Sequence, residues 1–182
     1  EGTCPHCGYK SARGDQCDGC GRTLDPIDLI DIRSKRDGSK PEFRDTVHQF
    51  FRLPAFQDRL KAWIEPKTDW RPNVKNTTLG MLAEGLHDRA VTRDILWGVP
   101  VPLKGYEEKR VYVWFEAVMG YLSATIELGQ RQGRPDLWKE YWLDPTAESY
   151  YFLGKDNIPF HTVIWPAMIM GFNDATAGKK RK

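Results

Sequence analysis

Four cysteines fall within CPHCGYKSARGDQCDGC, residues 4–20, and the chain has no others. Cys4 and Cys7 form one C-x2-C pair, Cys17 and Cys20 a second, with nine residues between the pairs. Each pair is followed by glycine, Gly8 and Gly21. Two thiolates three residues apart can face one ion if the chain turns tightly. Glycine relieves that turn and leaves backbone N–H groups to donate to sulfur. Two such knuckles supply the four sulfurs that tetrahedral Zn²⁺ prefers. Lys10, Arg13 and Arg22 offset the net negative charge of the site. Four sulfurs leave no open position, so the expected role is structural. Residues 1–23 hold almost no large hydrophobic side chains, so the metal must supply the stability of this segment. Two disulfides in a secreted domain are the competing reading. The opening EGTCPHC lacks the basic and apolar regions of a secretory signal, which favours zinc. His6, inside the first pair, reads as exposed or as a neighbour of the ligands.

A second set of chemistry-bearing residues lies in SYYFLGKDNIPFHTVIWPAMIMG, residues 149–171. The pattern predicts strand, tight loop and helix. In an open parallel sheet, ligands bind where the C-terminal ends of strands meet helix N-termini. Gly154 there lets a planar base or ribose approach the backbone, and Asp156 can accept two ribose hydroxyl hydrogen bonds. His161 falls in the first turn of the helix, where the dipole disfavours protonation and leaves a neutral, hydrogen-bonding imidazole. GKDN alone is a weak motif, since many turns carry Gly, Asp and Asn. Arg93-Asp94, taken alone, reads as a surface ion pair. Trp114, Ala117 and Tyr121, at i, i+3 and i+7, could wall a small apolar pocket. A helix apolar on both faces is more often buried, so spacing alone favours core.

The elements that must position these residues follow from period and punctuation. Asp37-Gly38-Ser39 marks a turn. DTVHQFFRL, residues 45–53, reads as a strand. Pro54 opens a helix with Phe56, Leu60, Trp63 and Ile64 on one face, and Pro66 ends it. A second helix starts behind Pro72, with Val74, Thr78, Met81, Leu82 and Leu86 at helical spacing. Residues 90–103 have little period, and Pro100 and Pro102 force extended structure, so they read as a loop. Residues 111–129 begin as a strand and become a helix, with Phe115, Val118, Met119, Leu122 and Ile126 on a broad apolar stripe. SYYFL is a short aromatic strand. Behind Pro159, Phe160, Val163, Ile164, Ala167 and Met168 follow a helical period.

In this order, TRD, YVWFEAVMGY, FLGKDNIPFH and WPAM, behind CPHCG…CDGCG, resemble methionyl-tRNA synthetase, a class I aminoacyl-tRNA synthetase. The resemblance covers nearly the whole chain. It implies an α/β fold: the second half of a Rossmann-type catalytic domain over residues 51–182, and a connective insertion with a small Cys4 zinc knuckle over residues 1–50. It implies that Trp114, Ala117 and Tyr121 wall the methionine pocket and that His161 closes it. Arg93 would be the catalytic arginine that holds the reacting methionine end. Gly154, Lys155, Asp156 and Asn157 would lie at the adenosine of ATP, with Asp156 on the ribose. The implied activity is ATP-dependent activation of methionine to methionyl-adenylate and transfer to tRNA(Met). Zn²⁺ would be structural, Mg²⁺ would arrive with ATP, and the location would be cytoplasmic. Val118 stands where many members have proline, and Glu116 where they have aspartate, which affects local pocket shape. The HIGH-type and KMSKS-type signatures and the anticodon-binding domain are expected outside this sequence. The chain therefore reads as an internal fragment, inactive alone, with the terminal KKRK starting the loop toward the second signature.

Composition narrows the alternatives. The chain has 27 basic and 25 acidic residues, a net charge of +2, which argues against nucleic acid or membrane as a bulk partner. Seven Trp, seven Tyr and eight Phe among 40% hydrophobic residues can build a core. No apolar run approaches the roughly 18 residues of a transmembrane helix, so a soluble intracellular protein with reduced thiols is expected. A zinc-knuckle nucleic-acid-binding module attached to an α/β domain would show a basic face at the knuckle. Asp15, Asp18, Asp25, Asp28 and Asp31 make that region mixed in sign. A sister synthetase for a branched aliphatic amino acid would carry a long editing insertion, and none fits between Cys20 and Arg93.

Overall fold

The repeated CxxCG sequence folds as two similar turns. In the computed structural model, which describes residues 1–177, the Gly8 N–H donates to Cys4 O and the Gly21 N–H to Cys17 O. The N–H groups of Cys4 and Cys17 in turn donate to Tyr9 O and Arg22 O. Gly8 and Gly21 sit at φ 74° and 75°, where a side chain would be strained. Strands β1 (Asp15–Gln16) and β2 (Thr23–Leu24) pair antiparallel on either side of the second turn. A small core of Cys4, Ala12, Cys17, Leu24 and Leu29 completes this unit, Glu1–Val47. The turn expected at Asp37-Gly38-Ser39 is present: Gly38 has φ 72°, and Asp37 Oδ1 accepts from both the N–H and the hydroxyl of Ser39. The terminal KKRK lies outside the described residues.

The second unit begins at His48. Strand β3 (Phe50–Phe51) pairs antiparallel with β4 (Arg89–Ala90), and β5 (Thr92–Arg93) with β6 (Arg110–Val111). The helices are α1 (Gln57–Ile64), α2 (Pro72–Glu84), α3 (Val113–Arg131), α4 (Leu137–Trp142) and α5 (Trp165–Thr176). A 3-10 turn over Lys155–Asn157 and a π-turn over Phe160–Ile164 lead into α5. Pro72 starts α2 and Gly85, at φ 92°, ends it. The core gathers Leu60 and Ile64 from α1, Leu82 from α2, Phe115 and Val118 from α3, and Val163, Ile164 and Ala167 from the π-turn and the start of α5. Within it the Thr78 hydroxyl donates to Thr162 Oγ1, and the Thr162 hydroxyl donates to Ile158 O.

Two strand expectations change. Of residues 45–53 only Phe50–Phe51 forms a strand. Residues 149–153 form none, and Phe152 is 94% exposed. A strand exists only where a neighbour takes its N–H and C=O groups, and every strand pair among the described residues is antiparallel. Conversely, the stretch read as a loop over 90–103 contains β5, because a two-residue strand is too short to show a period.

Candidate active site and metal centre

The stripe Trp114–Ala117–Tyr121 lies on the open side of α3. Phe115 and Val118, one residue further round at each turn, are buried, whereas Trp114 and Tyr121 are 42% and 43% exposed and Ala117 is exposed between them. The core reading favoured by spacing is thus corrected: neighbouring elements cover only one of the two apolar faces. Trp114 stacks on Phe160, with ring centroids 5.2 Å apart and planes inclined by 26°. Tyr121 Oη lies 2.9 Å from His161 Nε2, and His161 Nδ1 lies 2.9 Å from Asn157 O. A carbonyl oxygen can only accept, so Nδ1 carries the hydrogen. In the neutral imidazole, Nε2 then accepts the Tyr121 hydroxyl hydrogen.

Tyr151 completes this cluster, and sequence reading had assigned it only to a strand. Its ring sits edge-on to both Tyr121 and His161, with centroids 5.3 Å away in each case. Burial holds its hydroxyl above the ordinary tyrosine value, against hydrogen bonds from Ser149 and Trp165 that pull it down. Three aromatic rings therefore converge beside the exposed stripe. The GKDN turn is tied to them through the Asn157 carbonyl. Lys155 and Asp156 stand exposed on that turn, and a side chain at Gly154 would meet nothing within 4 Å. The backbone beside Gly154 is thus open to close approach by a flat ligand.

Arg93 is held from two sides. Its Nη1 donates to Ala90 O and Thr92 O at 3.0 and 2.9 Å, and its guanidinium lies over the Tyr112 ring, 3.7 Å from the centroid. Tyr112 immediately precedes α3, so β5 and the start of α3 fix this arginine together. Asp94 forms an ion pair with Lys109 and lies 3.6 Å from His48 Nε2.

The four cysteine sulfurs lie within 4.8 Å of one another, all as free thiols, with Cys7 Sγ and Cys17 Sγ 3.7 Å apart. A tetrahedron with Zn–S bonds of about 2.3 Å has sulfur–sulfur edges of about 3.8 Å, so the cluster fits a metal of that size. Cys4 and Cys17 are buried, Cys7 and Cys20 exposed. Burial pushes the Cys4 thiol up, but backbone N–H groups of Cys7 and His6 more than offset it and bring it down to about 7. The Tyr9 N–H lowers Cys7, yet burial and the neighbouring thiols outweigh it and push it up. His6 is exposed.

The family described as tRNA synthetases class I (M) matches residues 1–180. The chain belongs to this family. Two methionine–tRNA ligases show how close the relation is. The one from Thermoplasma acidophilum is 59% identical over 172 residues, covering 94% of this chain and 31% of the relative. One from Dehalococcoides mccartyi is 62% identical over 171 residues, with the same coverage. The crystal structure of Mycobacterium tuberculosis methionyl-tRNA synthetase bound by methionyl-adenylate aligns with a TM-score of 0.59 at 30% identity. It covers 76% of this chain and 26% of that one. The chain thus spans about a third of the length of these class I synthetase relatives. The family match runs through both units. In keeping with the family's α/β character, helices and short strands alternate here, and no helix among the described residues is long and apolar enough to cross a membrane.

Proposed function

We propose that this chain forms the methionine pocket and the adenosine turn of a methionine–tRNA ligase, acting in the cytoplasm. Residues 51–182 are the second half of a Rossmann-type catalytic domain, and residues 1–50 its zinc-bearing connective insertion. The observation that carries the proposal is the His161 bridge. One imidazole joins the open Trp114–Ala117–Tyr121 stripe to the GKDN turn.

The reaction has two steps. The methionine carboxylate attacks the α-phosphate of ATP, giving methionyl-adenylate and pyrophosphate. The 3′-terminal hydroxyl of tRNA(Met) then takes the acyl group. No protein nucleophile is needed, so the residues here act by positioning. A thioether is polarizable and favours aromatic edges and faces. Trp114, Tyr121 and His161 offer these around the small Ala117, with Tyr151 behind them. Arg93, fixed against Tyr112, sets its guanidinium toward the methionine carboxylate. Gly154 admits the adenosine, Asp156 accepts from its ribose hydroxyls, and Lys155 and Asn157 flank it. Mg²⁺ accompanies the ATP phosphates. Cys4, Cys7, Cys17 and Cys20 hold a structural Zn²⁺, whose closed sulfur shell supplies folding energy rather than chemistry.

The test is to graft this chain into the Thermoplasma acidophilum relative in place of the matching 172 residues. Methionine-dependent ATP–pyrophosphate exchange is expected from the graft and lost in its Arg93→Ala variant. A folded graft that charges another amino acid, or exchanges equally well with Arg93→Ala, would refute the assignment.

A further inference from the structure

We infer that Pro166 sets the position of the His161 imidazole by forcing a wide helical turn before it, so that a residue outside the pocket governs methionine selection. The inference rests on the pocket reading of His161 given above.

Helical structure is continuous from residue 158 to residue 176, but Phe160–Ile164 within it is a π-turn. The Trp165 N–H reaches back five residues to Phe160 O. In an α-register that N–H would bond to His161 O, and the N–H of residue 166 to Thr162 O. Residue 166 is proline. It has no N–H, and its ring would press against the Thr162 carbonyl. Widening the turn by one residue removes the collision, which supplies the local cause that a rare π-turn needs.

The turn is pinned within itself and just beyond it. Val163 and Ala167 are fully buried. Thr162 is buried, donates to Ile158 O and accepts from Thr78. The extra residue therefore cannot be absorbed by sliding the helix. It rotates the first residues of the turn, His161 among them, relative to the helix that follows, by up to about 100° around the axis. In the rotated position His161 faces α3, with Tyr121 Oη and Asn157 O each 2.9 Å from a ring nitrogen. Pro166 is itself buried. It touches no substrate and acts as a positioning residue.

Pro166→Ala tests this, because it returns an N–H and lets the turn close to α. Pro166→Ser restores the same donor and serves as an independent second variant. Long-range ¹⁵N NMR on the full 182-residue chain reads the imidazole tautomer, with His6, His48 and His87 as internal references for an intact fold. His161 is expected to hold its hydrogen on Nδ1 in the parent and to lose that fixed tautomer in both variants. In the grafted ligase, methionine KM should rise about tenfold, the loss of one oriented hydrogen bond, while ATP KM stays within about twofold. Combining Pro166→Ala with His161→Ala should be no worse than His161→Ala alone, since one residue works through the other. An unchanged tautomer and an unchanged methionine KM in the proline variants, with His161→Ala still raising that KM, would overturn the inference and leave the pocket intact. A changed tautomer with methionine KM indifferent to every variant would uphold the role of Pro166 in placing His161 and overturn the pocket reading instead.

Discussion

Ala117→Leu, compared with Asp156→Asn in the grafted ligase, separates a substrate site from a piece of scaffold. Ala117 is exposed on α3 between Trp114 and Tyr121, with the buried Phe115 and Val118 on the adjoining side. A leucine there adds three carbons into the open cleft and none into the core. Substitutions at such exposed positions change stability by about 0.5 kcal/mol or less, and Leu is nearly as good a helix former as Ala. Tm should therefore move by no more than about 2 °C. Inside the cleft, the added carbons occupy the space proposed for the thioether end. One displaced methylene costs about 1–3 kcal/mol of selective binding, so methionine KM should rise roughly 10- to 200-fold. ATP KM should change less than about threefold, because Ala117 lies on α3 and the GKDN turn meets the α3 stripe through the Asn157 carbonyl and His161 rather than through Ala117. Asp156→Asn inverts the pattern. Asp156 is exposed on its turn, so the change leaves the fold alone. It weakens a charge-assisted ribose contact by about 1–2 kcal/mol, which raises ATP KM roughly 5- to 30-fold. Pyrophosphate exchange with each substrate varied in turn measures both constants. If each variant harms both substrates equally, or only lowers Tm, these residues are scaffold and the site assignment is wrong.

Three further outcomes follow from the geometry. Purified protein should carry about one zinc per chain, and Cys4→Ser or Cys17→Ser should release it and open the knuckle to hydrogen exchange; metal analysis finding none in folded, reduced protein would contradict the assignment. Burial holds His48 below the ordinary histidine value, opposed by Asp94 and reinforced by Lys109 and Arg93. The unfolded chain therefore takes up its proton first as pH falls, so stability should decline from about pH 6.5 downward until the folded His48 titrates. Urea midpoints across that range should show a decline that His48→Gln flattens, and identical pH profiles would refute this. Thr78→Val removes the donor to Thr162 Oγ1 inside the core. It should cost about 1 kcal/mol and lower Tm by roughly 2–4 °C in calorimetry, and no change would show that this bond contributes nothing net.

Local rules decided much of this protein in advance. The spacing of Cys4, Cys7, Cys17 and Cys20, with glycine after each pair, is enough to specify two tight turns, because each turn closes over five residues through its own hydrogen bonds. The helices α1, α2 and α3 are equally legible. Proline starts are local chemistry, and the stripes of Leu60–Ile64, Thr78–Leu82 and Phe115–Val118 repeat at helical spacing. What period cannot say is which of two apolar stripes a neighbour will cover. Tertiary packing buried Phe115 and Val118 and left Trp114, Ala117 and Tyr121 open, and that choice makes the stripe available as the proposed pocket wall. The stacking of Arg93 on Tyr112 likewise depends on β5 meeting β6, two strands of two residues each, too short to carry a period. Tyr151 packs against Tyr121 and His161 from a segment that forms no strand, and strand pairing is a property of two segments, never of one. The π-turn at Phe160–Ile164 shows both influences. Pro166 supplies the local conflict, but only the buried Val163 and Ala167 on either side of Trp165 oblige the helix to resolve it by turning His161 toward Tyr121.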